Sequence, residues 1–176
     1  MLFFIGIGGV VMALSAISEG HYEAAGRFLA LAGVLILPVV VQWARNRDVG
    51  AFDLVQGGVM WVRQNPSGVH WSDWGLLFTR SGSLDLKANY YEVRYRFCYG
   101  LIPYRKLEGR LKDLGSVRLS ETGSPSETTV MTWTVHLDVE GKDETIFDAA
   151  GTDRNRGSEL AEELTEALRG ALARRP

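Results

Sequence analysis

Three histidines and one cysteine are the residues in this chain best suited to metal, acid–base or thiol chemistry: His21, His70, His136 and Cys98. A helical zinc motif needs two histidines four residues apart, and none of these three has such a neighbour. A single cysteine forms neither an intrachain disulfide nor a thiolate cluster. We therefore predict no metal or cofactor site. On this interpretation His136 is a solvated imidazole on the polar face of a strand, and the alternative is a ligand or proton-transfer role.

Catalytic motifs are also missing from the sequence. No serine lies in a Gly-x-Ser-x-Gly elbow. The glycines of Gly6-Ile7-Gly8-Gly9 fall inside a hydrophobic run and not between a strand and a helix, so they cannot cradle a phosphate. The sequence predicts no catalytic residues and a protein that is not an enzyme. The alternative is an enzyme whose site is assembled from scattered residues.

Charge is divided unevenly along the chain. Residues 80–118 carry nine basic and four acidic side chains, whereas residues 119–166 carry three basic and twelve acidic ones. Basic residues close to a membrane surface are attracted to anionic headgroups by about 1 kcal/mol each. Arg105, Lys106 and Arg110 are the candidates for contact with anionic lipid or a partner. The alternative is that they pair with the acidic segment or face water, and nucleic acid is not an expected partner.

The first 47 residues predict a transmembrane helical hairpin. Residues 1–17 and 28–44 contain no charged side chain, and each run has about the minimum length for a membrane span. Ser18–Arg27 would be the polar link between them. Small residues in the first run, Gly6, Gly9, Ala13 and Ala16, would let it pack against Ala30 and Gly33. The alternatives are a cleaved signal peptide followed by one anchor, and a buried hairpin in a soluble core.

Basic residues set the predicted orientation. Arg45 and Arg47 follow the second run, while the link offers only Arg27, and positive residues are retained on the cytoplasmic side. We therefore expect an integral membrane protein, in a bacterial inner membrane, with residues 48–176 in the cytoplasm.

Residues 48–176 predict one β-rich domain. Apolar and polar residues alternate in Tyr91–Tyr99 and in Thr129–Val139, the period of two that places one face of a strand on a core. An Asn65-Pro66-Ser67-Gly68 turn separates neighbouring strands. Shorter strands are expected at Phe52–Val55, Val59–Gln64, Gly75–Arg80, Val117–Ser120 and Thr145–Phe147.

A helix is predicted to close the domain over residues 158–174. Its leucines recur every four residues and form one apolar stripe: Leu160, Leu164, Leu168 and Leu172. Ser158 would cap its first turn.

The order of a helical hairpin, antiparallel strands and a closing helix resembles the small bacterial two-helix membrane proteins with a pleckstrin-homology-like domain. The residues that carry the resemblance are Tyr91–Leu119, where a strand ending in Tyr99-Gly100-Leu101-Ile102-Pro103 leads through Leu114-Gly115-Ser116-Val117 to another strand. The resemblance implies a membrane helical hairpin plus an α+β domain, an antiparallel roll of about six or seven strands capped by a C-terminal helix. It implies no catalytic residues.

The leading functional hypothesis is a membrane-anchored, non-enzymatic interaction or assembly module. Its partners would be the lipid bilayer and a protein. The first alternative is peripheral recognition of anionic lipid headgroups by the basic stretch, and the second is the enzyme with a site not visible in the sequence.

Overall fold

The computed structural model describes residues 2–46, 50–53, 58–75, 78–98, 100–123, 130–151 and 156–175. The chain forms two compact units, residues 1–45 and 46–176. Its elements, in chain order, are α1 Leu2–Ser18, α2 Tyr22–Asn46, β1 Gly50–Asp53, β2 Gly58–Asn65, β3 Gly68–Trp74, β4 Phe78–Asp85, β5 Tyr90–Phe97, β6 Ile102–Arg110, a 3-10 turn Leu111–Asp113, β7 Leu114–Thr122, β8 Met131–Val139, β9 Lys142–Gly151 and α3 Arg156–Ala173.

The first unit is a pair of helices joined by a short turn. Its packing depends on small residues, since Ala13 and Ala25 are buried and a Cβ added at Gly9 would lie 3.4 Å from the Cβ of Ala32. Small residues in α1 do face α2, as predicted. The facing residues of α2 are Ala25 and Ala32, however, and Gly33 has nothing within 4 Å of an added Cβ.

The predicted transmembrane hairpin is wrong. Among the described residues, no helix combines the length and the apolar character that crossing a membrane requires. The 17 residues of α1 rise about 26 Å, less than the roughly 30 Å of a bilayer core. The longer α2 contains Glu23 and Arg27. Both had been predicted to lie in the polar link that precedes the second helix. The predicted integral membrane localisation is therefore wrong as well.

The second unit is an α+β domain with two antiparallel sheets. β1 to β6 form a six-stranded sheet in sequence order, and β7 to β9 form a three-stranded sheet. The predicted pleckstrin-homology-like roll of six or seven strands is therefore wrong, because the described residues of this domain form nine strands in two sheets. β3 and β6 are the two strands of this domain that were missed.

Alternation along β5 and β8 determines which side chains enter the core, as predicted. Tyr91, Val93 and Tyr95 of β5 are buried, and so are the apolar positions of β8 from Trp133 to Val139. The predicted strand ends Tyr99 and Thr129 lie outside the described residues, as do residues 54–55 and 76–77 of two shorter predicted strands.

The closing helix packs against both sheets. It begins at Arg156, two residues before the predicted start, so Ser158 lies buried in its first turn. Leu160, Leu164 and Leu168 are fully buried, and Leu172 is partly buried against the same core. The predicted leucine stripe is confirmed.

Turn chemistry fixes the register of the strands. Asn65 Oδ1 accepts hydrogen bonds from the Ser67 amide (3.0 Å) and the Ser67 hydroxyl (2.8 Å). At Gly68 an added Cβ would lie 1.8 Å from the carbonyl oxygen of Leu84, so only glycine fits there. The predicted turn between β2 and β3 is present.

Candidate functional site

The three predicted contact residues all lie on β6, the edge strand of the six-stranded sheet, but the structure does not bring them into one patch. Successive side chains of a strand point to opposite faces. Arg105 therefore lies on one face, while Lys106 and Arg110 lie on the other. About 13 Å of strand separates Lys106 from Arg110 at roughly 3.3 Å per residue.

Carboxylates neutralise two of these three cations. Arg105 donates two hydrogen bonds to Glu144 on β9, at 2.7 and 2.5 Å, and its guanidinium lies 5.5 Å from the ring centroid of Tyr95. Lys106 Nζ lies 2.6 Å from Glu108 and 3.0 Å from Glu92. Among the described residues, the Arg110 side chain has no ion-pair partner. The alternative interpretation, pairing with the acidic segment, is correct for Arg105.

The ion pairs around Lys106 favour the charged form of every member. Hydrogen bonds to Glu108 and Glu92 raise the pKa of Lys106. A hydrogen bond from Arg94 lowers the pKa of Glu92, and one from Lys106 lowers the pKa of Glu108. These side chains are at the surface, where solvent screens their interactions. This cluster therefore offers little unbalanced positive charge to an external anion.

A set of exposed apolar side chains covers one end of the six-stranded sheet. Phe78, Leu101, Ile102 and Tyr104 are 50%, 78%, 54% and 55% exposed. We define the apolar end as these four residues together with Phe97. In the described part of residues 46–176, four of the five exposed large apolar side chains belong to this set.

Strand register assembles the apolar end from distant parts of the sequence. Phe78 on β4 pairs with Phe97 on β5, which in turn pairs with Ile102 on β6. The rings of Phe78 and Phe97 lie 5.4 Å apart, and Phe78 lies 6.5 Å from Tyr104. A register shift between Tyr95 and Arg96 leaves Tyr104 unpaired in the ladder, and such bulges re-aim side chains.

A groove of about 380 Å³ lies beside the apolar end. Its described lining includes four cations and no carboxylate. The lining residues are Arg94, Tyr95, Arg96, Pro103, Tyr104, Arg105 and Lys106. Within the described structure, Arg96 reaches only the carbonyl oxygen of Gly100, at 3.5 Å. Apolar and basic side chains therefore adjoin each other at this end of the sheet.

Tyr95 lies beneath this surface with its hydroxyl unpaired. Its ring packs 6.0 Å from Tyr104, and in the described structure the buried hydroxyl has no hydrogen-bond partner. Burial raises the pKa of Tyr95 to about 12, with a smaller contribution from Glu144. The phenol is therefore neutral at physiological pH, and its ring packs beneath the exposed apolar side chains.

A second cluster lies on the outer face of the three-stranded sheet. The Ser120 hydroxyl on β7 is 2.9 Å from His136 Nε2 on β8. His136 Nδ1 faces Asp143 Oδ2 on β9 at 3.4 Å, and Arg118 pairs with the same carboxylate. His136 lies on the polar face of its strand, as predicted, but its side chain is only 18% exposed, so it is not the solvated imidazole that was expected. Its two partners were not predicted.

Cys98, His21 and His70 take no part in either cluster. Cys98 is half-buried in the turn after β5. The His21 amide donates to the Ala16 carbonyl at 2.7 Å in the turn between the helices, and His70 lies on β3 opposite Ser83. In the described ranges no three histidine, cysteine, aspartate or glutamate side chains are placed to hold a metal ion.

No protein-family model, curated protein or solved structure matches this chain. The resemblance to two-helix membrane proteins with a pleckstrin-homology-like domain is therefore wrong, because the comparisons find no relative and the described helices include no membrane span.

Proposed function

We propose that this chain is a protein-binding module whose recognition surface is the apolar end of the six-stranded sheet. The observation that carries this proposal is the concentration of exposed apolar side chains there, from 50% exposed at Phe78 to 78% at Leu101. Contiguous apolar surface on a protein is costly in water and often marks an interaction site. Aromatic residues such as Tyr104 are also enriched at the centres of interfaces.

Burial of this surface by a partner would supply substantial binding free energy. A tyrosine side chain presents about 200 Å² of surface. The 55% of Tyr104 that is exposed then corresponds to about 110 Å², or about 3 kcal/mol at roughly 25 cal/mol per Å². Ile102 and Leu101 add further apolar area, while the costs of association reduce the total.

The groove beside the apolar end indicates the chemistry of the partner. Three of the four cations in its described lining are paired with carboxylates. The fourth, Arg96, has among the described residues only a weak contact with a carbonyl oxygen. Charge complementarity across an interface selects partners and speeds their association. The occupant that fits is a protein segment with large apolar side chains and a flanking aspartate or glutamate that pairs with Arg96.

Recognition of anionic lipid headgroups by Arg105, Lys106 and Arg110 stays a weaker prediction. Arg105 and Lys106 are engaged by Glu144, Glu92 and Glu108. A lipid phosphate would have to displace those carboxylates. The apolar surface requires no such exchange, so the structure favours a protein partner.

Site-specific photocrosslinking in cells tests the proposal. A photoreactive phenylalanine analogue replaces Tyr104 in the full chain, and the control replaces Lys142, which is exposed at the start of β9. We expect position 104 to give a discrete adduct whose crosslinked peptide is apolar with acidic flanks. Equal adducts at both positions, or a crosslinked peptide that is basic or belongs to this chain itself, would refute the proposal.

A further inference from the structure

Ser120, His136 and Asp143 have the connectivity of a nucleophile, a general base and an orienting carboxylate. The serine hydroxyl contacts Nε2 of the imidazole at 2.9 Å, within the hydrogen-bond range expected of a nucleophile and its base. The carboxylate faces Nδ1, the other ring nitrogen, at 3.4 Å. That distance is long, but such contacts are often looser before substrate binds.

Each partner gives His136 the form that a base needs. A carboxylate beside Nδ1 favours a proton on that nitrogen, which leaves Nε2 free to accept the serine proton. Arg118 pairs with the Asp143 carboxylate on the side away from Ser120 in the ladder. The imidazole itself is held firmly, since only 18% of its side chain is exposed.

The sheet positions these groups on a rigid surface. Arg118 pairs with His136 and Ser120 pairs with Thr134 in the ladder between β7 and β8, while His136 pairs with Thr145 on β9. Sites built on strands hold their geometry better than sites on loops. Arg118 lies two residues before Ser120 and so on the same face of β7, where it pairs with Asp143.

We propose that Ser120 is a nucleophile activated by His136, and that this face hydrolyses small activated esters. Ser120 Oγ attacks the ester carbonyl while its proton passes to His136 Nε2. The tetrahedral intermediate expels the alcohol, which takes that proton, and an acyl-serine is left. A water molecule then attacks the acyl-serine by the same route. The acid is released and the serine hydroxyl is restored.

The open position of this site sets its substrate class. It lies on the outer face of a three-stranded sheet, where Asp143 is 49% and Arg118 64% exposed. A surface without deep walls discriminates little among acyl groups, so esters of short acids with good leaving groups are the expected substrates. This activity does not depend on the protein-binding function of the apolar end.

Active-site labelling of the full chain is the first test. We expect a fluorophosphonate probe to modify Ser120, as located by peptide mass spectrometry, and to leave the exposed Ser116 of the same strand unmodified. His136→Gln should reduce the labelling rate at least about tenfold, because general-base catalysis typically contributes about 100-fold or more. Absence of label on Ser120, or labelling that is unaffected by His136→Gln, would overturn the proposal.

Hydrolysis of 4-nitrophenyl acetate is the second test. Ser120→Ala and His136→Gln should each lower the rate above background at least about tenfold, while the control His70→Gln leaves it unchanged. If Ser120→Ala retains the wild-type rate and His136→Gln does not, the imidazole acts alone and the assignment of Ser120 is wrong. Labelling of the unaltered chain shows whether Ser120 is nucleophilic without the use of any variant. A variant that fails to fold therefore does not prevent a result.

Discussion

Gly82 on β4 is a position where added volume should be poorly tolerated in the core of the second unit. An added Cβ would lie 2.2 Å from Cζ2 of Trp71 on β3, and two further indole atoms would lie 2.7 Å away. Trp71 is 1% exposed, and its ring nitrogen donates to the Ile146 carbonyl at 3.2 Å. Gly82→Ala therefore forces a packed side chain to move.

The expected loss of stability follows from two opposing effects. Overpacking of a core costs about 1–3 kcal/mol, whereas replacing glycine by alanine gains up to about 1 kcal/mol by restricting the unfolded chain. We expect Gly82→Ala to lower the free energy of unfolding by about 1–2 kcal/mol. The melting temperature should then fall by about 3–8 °C, as measured by circular dichroism.

A double-mutant cycle isolates the contact with the indole. The three atoms that meet the added Cβ belong to the indole ring system of Trp71, and phenylalanine has a smaller ring there. Gly82→Ala should therefore cost at least about 1 kcal/mol less in a Trp71→Phe background. Gly170→Ala is the matched control, since nothing lies within 4 Å of its added Cβ, and it should stabilise α3 by about 0.5–1 kcal/mol. Equal costs of Gly82→Ala in both backgrounds would refute the reasoning.

Three further substitutions test the core and the site. Tyr95→Phe removes a buried hydroxyl without a partner, so stability at neutral pH should be unchanged or higher in urea denaturation. The pKa of Tyr95 rises from 10.0 to about 12 on folding. The free energy of unfolding of the wild type should therefore fall between pH 10 and 12, whereas that of Tyr95→Phe should not. Parallel curves of unfolding free energy against pH for the two proteins would contradict this. Leu164→Ala should cost about 2–5 kcal/mol in the same assay, since Leu164 is fully buried, and a cost below about 1 kcal/mol would show that α3 does not pack as described. Glu144→Gln should cost under about 1 kcal/mol, because its partner Arg105 is 43% exposed, and a loss above about 3 kcal/mol would show a buried pair.

Local periodicity predicted the strands whose inner face meets a continuous core. β5 and β8 alternate cleanly because one side of each is buried and the other faces solvent. The leucine stripe predicted the buried face of α3 for the same reason, since one side of the helix is buried. β6 was missed because it is an edge strand and largely exposed, so packing imposes no alternation on it. β3 was missed because Ser72 and Asp73 are buried beside its apolar residues.

The two candidate sites depend on register, which the sequence does not display. Phe78 and Ile102 lie 24 residues apart and meet only through Phe97. Ser120 and His136 were placed on strands, but nothing in their spacing showed that the two strands pair. The membrane hairpin failed for a different reason. Two runs without charge suggested spans, yet α1 is short and α2 includes charged residues of the supposed link.

The affinity of the crosslinked partner for variants of the apolar end tests the proposed binding function most directly. Isothermal titration calorimetry compares the wild type with Ile102→Asp and with the control Lys142→Asp, after melting curves show that all three fold. We expect Ile102→Asp to weaken binding by about 30-fold or more, the effect of losing about 2 kcal/mol at an interface centre, and Lys142→Asp to bind like the wild type. Equal affinity of all three proteins would contradict the assignment of the apolar end as the recognition surface.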